Sequence, residues 1–146
     1  MDPSLLKLKT PEECEQYILN VRERWPQLVA DARRKLVELR AAACNANTDA
    51  EREAIRAVFA YEEALSSKKG HRVRASRTWP MIDKHGAIGA VERLVSKRKE
   101  SSGYTTLAEM GMKDFAFESV VLRHPEVFSE KALTRAKERI ASEQPD

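Results

Sequence analysis

Apolar or small residues recur in steps of three and four at Cys14, Ile18, Val21, Trp25, Leu28 or Val29, Ala32, Leu36, Leu39 and Ala43. That spacing lays one buried stripe along a helix. The stripe starts behind Thr10-Pro11-Glu12-Glu13, which reads as an N-cap hydroxyl, a proline at the first helical position and a carboxylate at the third. It then runs across Pro26, whose ring lacks a donor for the Arg22 carbonyl and collides with it. Two helices are therefore expected, breaking at Trp25. Asn45 and Asn47 end the second, and Thr48 with Glu51 caps a third through about Leu65. The stripe of the third is Ala54, Val58, Tyr61 and Leu65, flanked by Ile55 and Phe59.

Two long helices joined by so short a polar connector lie antiparallel. Leu36 and Val58 are expected on facing stripes, with Arg34 idle on the opposite side. The same spacing also suits a seam shared with a second copy, which makes a homodimer through the hairpin the alternative use of that stripe.

The period breaks after the hairpin. Ser66 to Ser76 has no apolar repeat and reads as a loop, with Gly70 stopping the third helix. Ser76 or Thr78 caps a short helix through His85, Gly86 supplies a left-handed turn, and Ala87 to about Lys97 forms the next helix. A polar linker, Glu100 to Gly103, precedes helices from Tyr104 to Met110 and from Asp114 to Arg123, and a last helix runs from the Ser129 cap to about Ser142. The pattern predicts one all-α domain over residues 1–146. Residues 1–67 are a hairpin scaffold, and 68–146 a basic loop with a cluster of shorter helices. The length of 146 residues, the five glycines and the 34% charged residues agree with helices that have wide solvated faces. Cys14 and Cys44 have neither metal-ligand spacing nor a disulfide framework, and no stretch has the length of a membrane span, so a cytoplasmic setting is expected.

Charge singles out the middle of the chain. Between Ser66 and Lys99 ten Lys/Arg stand against Asp83 and Glu92, a net +8, whereas the flanking segments are both net acidic. Charge packed this densely repels itself and calls for a polyanion opposite it. The candidate contacts are Lys68, Lys69, His71, Arg72, Arg74, Arg77 and Lys84, with Lys97, Arg98 and Lys99 returning to the same face if the chain folds back at Gly86. Backbone amides at the start of the helix after Ser76 would join Arg74 and Arg77 in holding a phosphate. Trp79 has two readings, a core ring beside Met81 and Ile82 or a platform for an exposed base; the core role is expected, because it would aim Arg74 and Arg77 outward.

Chemistry beyond binding finds no foothold. The chain has no Gly-rich phosphate loop, no His-Glu-x-x-His, no zinc-spaced cysteine pair and no elbow serine. No cofactor or metal is expected. The one enzymatic alternative is a nuclease-like group of acids with a lysine, gathered by folding. The Gly86 and Gly111 corners have the outline of a helix-turn-helix, but the first offers Ala87, Ile88, Gly89 and Ala90, which carry no donors for a base edge. The second offers Asp114, Phe115, Phe117 and Glu118, whose charges repel phosphate.

The segments Gly103-Tyr104-Thr105-Thr106-Leu107-Ala108-Glu109-Met110-Gly111, Asp114-Phe115-Ala116-Phe117-Glu118, Val120-Val121-Leu122-Arg123-His124-Pro125 and Arg74-Ala75-Ser76-Arg77-Thr78-Trp79 resemble small α-helical proteins of bacteria and phages. The resemblance covers roughly the second half, implies a bacterial cytosolic setting and brings no activity with it. The expectation is a non-catalytic nucleic-acid-binding protein that meets duplex DNA through its phosphates, in a regulatory or mobile-element role. The alternative is an adaptor that docks on an acidic protein or assembles through the hairpin.

Overall fold

In the computed structural model, which describes residues 3–97 and 103–143, both threonine caps close. The Thr10 hydroxyl oxygen accepts from the Glu13 amide at 3.1 Å, and the Glu13 carboxylate accepts in return from the Thr10 amide at 3.0 Å. Thr48 accepts from the Glu51 amide at 3.1 Å, while the Glu51 carboxylate reaches one residue further back, to the Asn47 amide. These caps start α1 (Pro11–Val21) and α3 (Asp49–Lys69), with α2 (Gln27–Ala42) between them. The chain continues through α4 (Thr78–Lys97), α5 (Tyr104–Glu109), α6 (Phe117–Arg123) and α7 (Glu130–Glu143), with 3-10 turns at Pro3–Lys7 and Lys113–Phe115. The fold is all-α, and no strand occurs among the described residues.

α1 packs on α2, and α2 packs on α3 as the second arm of the hairpin. α3 also meets α4, α5, α6 and the second 3-10 turn, so it runs through the centre of the fold. Ala50, Ala54, Ala57, Ala60 and Ala64 are all buried, which lets neighbours close on it from several sides. One cluster joins Val58 to Val91, Val95, Phe117, Val121 and Ala136. A second joins Val37 and Ala60 to Leu107, Met112 and Phe115.

Several expectations need correction. Trp25 is 46% exposed, because the chain turns at 22–24, before Pro26, and carries the ring off the stripe. Ala43 is exposed because α2 ends at Ala42. Tyr61 and Leu65 are only half-buried, since α3 is covered on several sides and its alanines take the closest approaches. α3 also continues one turn further than expected, so Lys68 and Lys69 are helical and the loop begins at Gly70, whose φ of 79° ends the helix. Leu36 and Val58 are both buried as expected; Val58 belongs to the first cluster, and Leu36 lines a groove with Ile18 and Leu19 of α1. Arg34 is not idle. Its guanidinium donates to both Asp114 oxygens, at 2.8 and 2.9 Å, and to the Gly111 carbonyl at 2.8 Å.

Leu36 is 1% exposed. Leu36→Ala is expected to lower the unfolding free energy by about 2–5 kcal/mol, as lost transfer energy plus a residual cavity. Urea denaturation followed by circular dichroism measures it, and a cost within error of zero would place the side chain at the surface.

Candidate nucleic-acid interface

The basic segment is a strap held down on α3. Gly70 donates its amide to the Ser66 carbonyl at 2.9 Å, and the Ser66 hydroxyl oxygen accepts from the Val73 amide at 2.8 Å. One turn earlier Glu62, only 2% exposed, gathers three donors on a single oxygen: Arg74 Nε at 3.0 Å, the Ala75 amide at 2.8 Å and Trp79 Nε1 at 2.7 Å. A buried carboxylate left unmatched is costly, and charge-assisted hydrogen bonds of this kind offset that cost. Glu62 therefore fixes both the end of the strap and the start of α4.

This arrangement changes the roles expected for two residues. Arg74 is exposed over 59% of its side chain, and its Nε is committed to Glu62, which matches part of the charge expected to meet phosphate. Just ahead of α4 the Ala75 amide is committed to the Glu62 carboxylate, while the Thr78 and Trp79 amides donate to the Ala75 carbonyl. The ring of Trp79 packs against the first core cluster, 5.0 Å from the Phe59 ring, with the Arg74 guanidinium 5.8 Å from its centroid. The core role fits this packing.

Lys68 and Lys69 project from the last turn of α3, His71 and Arg72 from the strap, Arg77 from just before α4, and Lys84 from just before the break at Gly86. All six are exposed. Lys68, Lys69, Arg72, Arg77 and Lys84 form no ion pair with any described carboxylate, in contrast to Arg34, Arg40, Arg52, Arg56, Arg74, Arg123 and Arg139, each of which has at least one. His71 Nδ1 lies 3.2 Å from the Arg72 carbonyl oxygen. Lys97 closes α4; its side chain, and all of Arg98 and Lys99, lie outside the described residues.

The Gly111 corner is a packing corner. Phe115, Phe117 and Glu118 are each no more than 2% exposed, and Asp114 is held by Arg34. The hydrogen bonds from Arg34 hold the Asp114 carboxyl below the usual carboxylate range, and the same contact raises Arg34. The guanidiniums of Arg34 and Arg56 lie 4.4 and 4.1 Å from the centroid of Phe115. Beside them Glu53 binds Arg123 and lies 2.9 Å from His124 Nε2. Burial pushes the Glu53 carboxyl up, but hydrogen bonds from His124 and Arg123 outweigh it and leave the group below its ordinary value. These groups join α2, α3 and α6 and have no open cation site among them. No three His, Cys, Asp or Glu side chains gather around a metal-sized space among the described residues, nor is any described helix long and apolar enough to cross a membrane.

Sequence reasoning missed Glu62, although an acid four residues after Val58 on a buried stripe was a signal of an internal partner. Compared with protein-family models, curated proteins and solved structures, the chain finds no match.

Proposed function

We propose that this protein binds duplex DNA without catalysis, through the phosphates of the backbone. The observation that carries the reading is the set of five exposed cations, Lys68, Lys69, Arg72, Arg77 and Lys84, without carboxylate partners among the described residues, around a strap that is itself fastened at Ser66 and Glu62. Fastening matters because cations on an ordered surface lose less freedom on binding than cations on a free loop. With few side chains aimed at base edges, such contacts position a duplex without reading its sequence. Two duplexes of equal length and unrelated sequence are therefore expected to bind within about twofold of each other in a fluorescence-anisotropy titration, and a preference of 100-fold or more would call for base readout.

The rival reading, docking on an acidic protein or self-association through the hairpin, draws on Leu6 and Trp25, which are 59% and 46% exposed. Absence of DNA binding at low salt, together with a concentration-dependent dimer in sedimentation, favours it.

A further inference from the structure

A groove of about 230 Å³ is lined by side chains from α1, α2, α3 and the strap. Its apolar part is Ile18 and Leu19 of α1 and Leu36 of α2, and Leu19 is 53% exposed there. Arg72 of the strap and Arg33 of α2 also line it, and neither forms an ion pair with a described carboxylate. The third arginine, Arg40, is buried and held by Glu15 and by Glu63 at 3.3 Å. Burial raises the Glu63 carboxyl above its ordinary value, against the opposing charges of Arg40 and Arg33.

The volume lies below the roughly 300–1,000 Å³ of sites for drug-sized ligands, which suits one ring system rather than an extended molecule. The ring must come with an anion, because Arg72 belongs both to this groove and to the cationic strap. A nucleotide has both parts, but a paired base is stacked inside its duplex and out of reach. An unpaired base is extruded at the least cost and is commonly received by apolar side chains, with hydrogen bonds to its edge. Glu15 and Glu63 each use one oxygen on Arg40. Each keeps a second oxygen that can accept from an exocyclic amino group, as carboxylates do from cytosine N4.

We propose that the groove receives the base of an unpaired nucleotide in the bound DNA, seated on Leu19 and Ile18 above the buried Leu36, with Arg72 and Arg33 at its phosphate. The proposal rests on the DNA-binding reading and adds a preference for bulged over perfect duplex.

The test uses the full chain and two probes, a duplex carrying a single 2-aminopurine bulge and the same duplex without it. The bulged duplex is expected to bind at least about fivefold tighter, at the lower end of what seating one base contributes. Its fluorescence should rise as the base leaves its neighbours for an aliphatic surface. Leu19→Ser, on an exposed position of α1 where helicity by circular dichroism confirms the fold, should remove both the preference and the rise. Perfect-duplex affinity, which depends on the strap cations, should stay within about twofold. Equal affinity for the two probes overturns the proposal and leaves the DNA-binding reading standing, as does a preference that survives Leu19→Ser. Failure to bind either probe at low salt overturns both.

Discussion

Glutamate at Lys68, Lys69 and Arg72 together is expected to lower duplex affinity at least about 100-fold at low salt, because each change removes one phosphate contact and adds a repelling charge. Of the five cations assigned to this surface only Arg77 and Lys84 then remain, so the log–log dependence on salt should fall to about −1.8. The fold should survive. None of the three replaced side chains forms an ion pair with a described carboxylate. The two lysines sit in the last turn of α3, where reversing a charge costs about 0.3–1 kcal/mol each against the helix dipole. The fastening of the strap at Ser66 and Glu62 uses other groups. Unchanged affinity in a variant with native helicity would remove this surface as the footprint.

The other large effect is expected at Trp79. Trp79→Ala should cost about 3–5 kcal/mol of stability by emptying the space beside Phe59 and the first core cluster. It also withdraws the indole donor, 2.7 Å away, from the buried Glu62. Trp79→Phe separates the two contributions, since it keeps a ring while leaving Glu62 one donor short, for about 1–3 kcal/mol. With Trp25 changed to Phe, the remaining indole should emit at short wavelength and resist iodide. A stable Trp79→Ala protein with weakened single-strand binding would instead identify the ring as a stacking platform.

What the sequence made legible was local. The Thr10 and Thr48 caps, the stop at Gly70, the break at Gly86 and the Ser129 cap each depend on backbone groups within a few residues, so residue type and spacing predict them. The site depended on groups brought together by folding. Glu62 lies 12, 13 and 17 residues before its three donors, and one of those hydrogen bonds gives Arg74 an internal partner that its place in the basic run did not announce. Arg34 meets Asp114 across 80 positions, which no helical period on α2 announces. Trp25 kept the step of the stripe but lost its burial to the turn before Pro26, because a period describes a face only while the helix continues. The excess charge of the central segment was legible, whereas its division into matched and unmatched cations was a property of the fold.

Duplex affinity measured against salt concentration tests the central claim most directly. Five unmatched cations, each neutralising one phosphate, give a log–log slope of about −4.5, an affinity loss of roughly 500-fold between 50 and 200 mM salt. A slope near zero, or no binding at 50 mM, would contradict the assignment of this surface to a nucleic-acid backbone.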